Sequence, residues 1–218
     1  MTPGEPLIRW DWVGSHLGDV AQRLGEHLLL TGLAVGVGCL LALFLTIQII
    51  QRPGLYAPII WAAGVLYTIP SLALFALLVP LTGLSLLTAE VGLVSYTLLF
   101  LIRNAVDGVR AVPADVREAA TAMGYTARQR LWRVELPLAL PVIIAGIRVA
   151  TVSTIGLVTV TALIGQGGLG YFILDGLQRF FSTPLIVGAV LSVALAVAAD
   201  GALVLVQRWA TPWTRWDG

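Results

Sequence analysis

Residues 115–137 read DVREAATAMGYTARQRLWRVELP, the most arginine-rich stretch of a chain otherwise divided into long apolar runs. Asp115 and Glu118 have the spacing of a capping box, in which the first side chain caps a helix and the second reaches back to it. Gly124 suits the left-handed residue that closes a helix, and Thr126 with Gln129 offers a second capping box. Pro137 predicts the end of that second helix. Two short helices hinged at a glycine result. Ala119, Ala120 and Ala122 give the first a small-residue surface on which another backbone can pack closely.

On either side of this stretch the chain changes character. Of 218 residues, 58% are hydrophobic and 11% charged, too little polar surface to clothe a soluble globule of this size. The apolar runs predict an all-α integral membrane protein with spans at about 28–50, 56–79, 86–102, 142–164 and 185–206. The first would be roughly 34 Å long at about 1.5 Å per residue, enough for a hydrocarbon core of about 30 Å. It starts after an acidic, tryptophan-bearing segment and exceeds the length of a signal core, so it is read as a retained span. Thr88 and Glu90 suit the start of the third span, as a hydroxyl cap and a charge facing unpaired N–H groups. Residues 1–27 read as an extracytoplasmic segment, 28–207 as one transmembrane unit with a loop at 103–137, and 208–218 as a tail.

Orientation follows from the arginines, since short cytoplasmic segments keep positive charge in excess. All 13 basic residues are arginine. Five spans put Arg52, the six from Arg103 to Arg133, Arg208 and Arg215 on one face, against Arg9, Arg23 and Arg179 on the other. The expected topology is therefore N-terminus outside and C-terminus cytoplasmic, with the two-helix loop inside the cell between spans three and four. Arg148 lies about 16 Å of helix beyond Pro137 and Asp200 about 12 Å before Arg208. Charges at that depth are costly unless paired or wet, and their similar depth predicts that Arg148 and Asp200 pair, the alternative being an Arg148 that snorkels to the interface.

The spacing Glu-Ala-Ala, three residues, Gly, nine residues, then Ile-x-Leu-Pro stands here as Glu118, Ala119, Ala120, Gly124, Val134, Leu136 and Pro137, with valine in place of isoleucine. It resembles the signature of permeases of binding-protein-dependent ABC importers. The resemblance implies that the loop fits a cleft of a separate ATPase and conveys nucleotide-site opening and closing to the spans. It also implies two ATPase copies carrying ATP and Mg, a second permease copy or homologue, and an extracytoplasmic solute-binding protein. The absence of lysine agrees from another direction. A phosphate-binding loop of the Walker type needs one at the terminal phosphates, so this chain is not its own motor.

Ile69-Pro70-Ser71-Leu-Ala-Leu, Ile102-Arg-Asn104 and Glu135-Leu-Pro-Leu-Ala-Leu-Pro141 resemble the osmoprotectant branch of that family, which serves glycine betaine, choline and carnitine. Within span two, a proline as deep as Pro70 frees a backbone carbonyl that a neighbour or cavity water must satisfy, which places Tyr67, Pro70 and Ser71 as candidates for the translocation path. Gly165, Gly167, Gly168 and Gly170 lack the strand and acidic partner of a nucleotide-binding loop. By resemblance they lie near the path in methionine and osmoprotectant permeases, and a plain close-packing turn reads equally well. Gly32 and Gly36 form a G-x-x-x-G pair read as helix packing. His27 reads as an interfacial histidine with no ligand role.

The single cysteine, Cys39, excludes an intrachain disulfide and a cysteine metal cluster; no metal site, no cofactor in this chain and no nucleic-acid partner is expected. Neither G-x-S-x-G, H-E-x-x-H nor an intramembrane aspartate pair is present to support a membrane enzyme. The expectation is a non-catalytic permease subunit in a bacterial plasma membrane, importing a compatible solute by alternating access. Alternatives are a permease for methionine or another small solute, and a channel or secondary carrier, which would not need the loop.

Overall fold

The computed structural model describes residues 6–213 and is all-helical over them, with no strand among the described residues. Arg215, counted above toward orientation, and the end of the expected tail lie outside the described residues. The helices are α1 (Trp10–Ser15), α2 (Leu17–Gln51), α3 (Tyr56–Thr68), α4 (Ser71–Thr82), α5 (Leu86–Arg110), α6 (Ala114–Ala122), α7 (Ala127–Arg130), α8 (Leu136–Val160), α9 (Gly170–Gln178) and α10 (Ser182–Ala210). By length and apolarity four helices can cross a membrane: α2, α5, the continuous run Ala127–Ile164 and α10. The second expected span, 56–79, is not one helix. Its halves, Pro53–Thr68 and Ser71–Thr82, meet at 97°.

The break has a local cause. A residue before proline is pushed out of the helical region, and Ile69 is extended at ψ 126°, as is Pro70 at ψ 133°. The Ile69 carbonyl accepts a hydrogen bond from the Tyr96 hydroxyl of α5, so the exposed backbone is satisfied by a neighbour. The two halves still connect opposite ends of the molecule. Leu55, Tyr56, Ile59 and Ile60 pack on a core of Ala42, Ile49, Leu101, Ile102, Val106 and Ala150 at the arginine-rich end. Phe75 and Val79 pack on a second core, of Leu30, Ala34, Ala89, Leu93, Val158 and Ile164, at the other end.

Helix α5 is the axle. It lies between α2 and α8, and small residues let the backbones approach closely. A Cβ at Gly108 would sit 3.1 Å from the Ala139 carbonyl, and one at Gly146 would sit 2.5 Å from Asn104 Cβ. On α2 it is Gly38, against Thr97 and Leu101, that does this within the chain; Gly32 and Gly36 meet no other part of the described residues. The apolar face of α10 is left largely uncovered.

Further expectations are corrected. The first span starts earlier than expected and the described residues before it pack on the bundle: α2 begins at Leu17, Arg9 N donates to Thr183 Oγ1 at 3.0 Å, and Trp12 stands edge-on to Phe172 and Phe181. The cap of α5 is Ser85, whose hydroxyl accepts from Thr88 N at 3.3 Å, because the chain turns at Gly83 one step before Thr88 can take that place. Both Glu90 oxygens are enclosed with no hydrogen-bond partner among the described residues. The third span runs on to Arg110, shortening the polar connection. His27 is fully buried rather than interfacial, and its Nε2 lies 3.0 Å from the Ile155 carbonyl, an acceptor, so Nε2 carries the hydrogen.

Candidate functional site

The loop after α5 is built from two caps and one buried acid. Helix α6 starts at Ala114, one residue before the expected capping box, because Pro113 at ψ 145° already sets the entry and its carbonyl takes the Arg117 N–H at 3.3 Å. Asp115 therefore sits in the first turn with no side-chain cap, where its charge still meets the positive end of the helix. Gly124, at φ 85°, closes α6: Tyr125 N donates to Ala120 O at 3.2 Å and Gly124 N to Thr121 O at 2.9 Å, the paired bonds of a Schellman ending. Thr126 and Gln129 form the second capping box, with Thr126 N donating to Gln129 Oε1 at 2.9 Å.

Pro137 does not end the second helix. A π-turn over Leu131–Glu135 carries α7 straight into α8. In a π-turn the backbone bonds reach one residue further, and that widening absorbs a proline that lacks an N–H and crowds the carbonyl four residues back.

Glu135 reads in the sequence only as part of a motif, with no partner assigned to it. It is 4% exposed, and its Oε1 pairs with Arg130 Nε at 2.9 Å and lies 3.9 Å from Arg117 Nε. Arg117 Nη2 donates to the Val109 and Arg110 carbonyls at 2.9 and 2.8 Å, satisfying the open end of α5, and Arg130 Nη1 donates to Thr121 Oγ1 at 3.0 Å. One carboxylate thus ties α5, α6 and α7 together. A lone acid at the end of a run of arginines was the available signal. Among the signature residues, Ala120 turns inward and is buried, Glu118, Ala119 and Gly124 are exposed with Met123 at the apex, and Val134, Leu136 and Pro137 are half-buried at the elbow.

A cavity of about 440 Å³ opens where α3 breaks from α4. Tyr67, Pro70 and Ser71 line it, together with Tyr96 and Phe100 of α5 and Ser153 of α8. No charged side chain lines it. Tyr67 stands nearly at right angles to both other rings, 5.7 Å from Tyr96 and 5.1 Å from Phe100 between centroids. The break thus assembles, from residues distant in sequence, a small-molecule-sized space of the volume usual for such sites, about 300–1,000 Å³.

Residues 55–212, most of the chain and all of the site so far described, match the family described as binding-protein-dependent transport system inner membrane component. The chain belongs to this family. It is 39% identical to the osmoprotectant import permease protein OsmW of Salmonella typhimurium over 89% of this chain and 93% of that one. It is 34% identical to the glycine betaine/carnitine/choline transport system permease protein OpuCB of Bacillus subtilis, over 89% and 90%. In fold it is similar to a solved structure of the MetNI methionine ABC transporter in an inward-facing conformation, with TM-score 0.81, 23% identity and coverage of 90% of this chain and 98% of that one. The protein is therefore a bacterial membrane permease, a transmembrane component of a transport system.

In this permease the four glycines after α8 do not line the cavity. Gly165, at φ 78°, ends the helix; Gly167 packs on the Ala162 backbone, Gly170 on that of Thr159, and a Cβ at Gly168 would sit 2.7 Å from the His27 backbone nitrogen. They form a turn seated on α2 at His27 and on the end of α8 at Thr159.

Arg148 and Asp200 meet as a bidentate pair, Nε to Oδ1 at 2.8 Å and Nη2 to Oδ2 at 2.9 Å, joining α8 to α10. Gln207 Nε2 adds a 3.4 Å bond to the Pro141 carbonyl. Because α10 has little other cover, Arg148→Asp and Asp200→Arg should each lower the yield of monodisperse detergent-extracted protein, and the double swap should recover most of it. A swap no better than the single variants on gel filtration would remove the pair from the assembly.

Proposed function

We propose that this permease imports a quaternary ammonium compatible solute, of the glycine betaine, choline or carnitine class, powered by two copies of a separate ATPase that dock on residues 115–137. The single observation that carries the coupling part is the loop: a two-helix unit whose apex exposes Glu118, Ala119, Met123 and Gly124 while its base is held to α5 by Arg117, which faces Glu135. The solute class rests on the relatives named above, similar over nearly their whole length. In this reading the arginine-rich end is cytoplasmic, the N-terminus is outside, ATP and Mg are bound by the partner, and a second permease copy completes the transmembrane path. An external binding protein delivers solute, and lipid covers α10.

Two measurements test it. A tagged permease extracted in detergent should retain its ATPase, and Gly124→Ala should weaken that retention several-fold. A non-glycine residue in the left-handed region costs about 1–2 kcal/mol, and nothing within 4 Å of the Cβ position adds to it. Gly124→Asn, which tolerates that backbone, should do less harm. Parent-like ATPase retention and uptake in Gly124→Ala would remove the coupling role. Uptake competition among betaine, choline, carnitine and methionine tests the solute; transport of methionine alone would overturn the class.

A further inference from the structure

We infer that the cavity at the Ile69–Pro70 break is itself a solute site, in which the rings of Tyr67, Tyr96 and Phe100 form an aromatic corner for a quaternary ammonium group. This deepens the solute class proposed above and rests on it.

Three features of the cavity converge on that chemistry. The rings stand nearly perpendicular, at 72° and 84°, so they form adjoining walls rather than a stack, within reach of one small cation between them. An aromatic face attracts a cation lying within about 6 Å of its centroid. Second, no acid lines the space, so a primary ammonium would forfeit its hydrogen-bonded water for only a few hydroxyl acceptors. A trimethylammonium group has no N–H to satisfy and is weakly hydrated, and it loses least on entering. Third, an uncharged aromatic site holds a permanent cation weakly enough to release it, which a transport path requires and a buried carboxylate would oppose.

The corner is also held in place. The Tyr96 hydroxyl donates to the Ile69 carbonyl, so the ring that forms one wall is pinned by the break that opens the cavity. Ser71 and Ser153 leave hydroxyls on the remaining walls, available to the polar end of a small zwitterion or alcohol.

The test uses the intact permease–ATPase complex without its binding protein, and saturation-transfer NMR with choline, tetramethylammonium and methylammonium as probes. Choline and tetramethylammonium should give transfer from their methyl groups, and methylammonium should not. Tyr67→Leu and Phe100→Leu should each weaken choline binding by roughly 5- to 30-fold, the range of one cation–π contact, while Tyr67→Phe and Phe100→Tyr keep it. Elution with the parent on gel filtration, with the ATPase retained, shows that a variant complex is intact. Transfer that is equal for all three probes, or unaltered by the leucine variants, would overturn the site. Uptake by the parent complex with its binding protein in proteoliposomes separates the two readings. Uptake of a quaternary ammonium solute without cavity binding leaves the solute class standing and removes the corner; no uptake of any such solute removes the class, whatever the binding assay returns.

Discussion

Gly170→Ala is expected to lower the stability and yield of folded permease sharply. The added Cβ would enter the backbone of Thr159, contacting its carbonyl oxygen and lying 2.6 Å from its Cα. A side chain could rotate away, but a helix backbone fixed by its own hydrogen bonds cannot, so either α9 leaves α8 or the end of α8 unwinds. Overpacking costs about 1–3 kcal/mol where side chains can yield, and this site lies at or above the top of that range. Against a total stability of about 5–15 kcal/mol, a loss of about 3 kcal/mol lowers the folded-to-unfolded ratio by more than a hundredfold. Gly165→Ala is the internal control. Its φ of 78° disfavours alanine, but nothing lies within 4 Å, so only the backbone cost of about 1–2 kcal/mol should appear. Thermal unfolding followed by gel filtration should rank Gly170→Ala far below Gly165→Ala; equal midpoints would mean the turn is not seated on α8 as described.

Glu135→Ala is expected to leave a folded bundle whose loop no longer transmits. Removing one partner of a fully buried ion pair costs about 3–5 kcal/mol. Here the acid is 5% exposed at its side chain but Arg117 and Arg130 are 34% and 30%, so water relieves the arginines and about 1–3 kcal/mol is the expected loss. That loss falls on three junctions together, since Arg117 also holds the Val109 and Arg110 carbonyls and Arg130 holds Thr121. Uptake in proteoliposomes should fall more than tenfold while ATP hydrolysis by the complex falls much less. Glu135→Gln, which can still accept from Arg130 but carries no charge, should lie between. Parent-like uptake in Glu135→Ala would show that the loop is held by its caps alone.

The parts that could be read from the sequence were those decided within a few residues. Gly124 and the Thr126–Gln129 cap are such cases: a left-handed position and a reciprocal hydroxyl–amide pair depend on residue types at fixed offsets. The existence of the apolar helices and the arginine asymmetry belong with them, though not the helix lengths. Arg148 and Asp200 were found at longer range only because charges are rare in apolar runs, so two at similar depth had few alternative partners.

What escaped was decided by neighbours distant in the chain. A proline deep in an apolar run reads as a kink or as a full break. Tyr96, 27 residues beyond Ile69, satisfies the broken form, and the cavity beside it opens at that break. His27 looked interfacial because ten more residues of helix precede it than the apolar run suggested, and the glycine turn covers it. Pro137 looked like a stop because a π-turn has no residue signature of its own. The partners of Glu135 were overlooked because its value lies in which arginines fold back onto it.

The passage of α7 through the π-turn into α8 makes residues 127–164 one continuous helix of 38 residues. At about 1.5 Å per residue this is a lever about 57 Å long. One arm ends at Gly124 and the other at the glycine turn on His27. With a fulcrum near one end, a tilt of about 5° swings the far end by about 5 Å, a full helical turn, with no dihedral angle along the shaft altered. The cavity lies beside this shaft at Ser153 and Thr154, so under the coupling proposed above it stands between force and load.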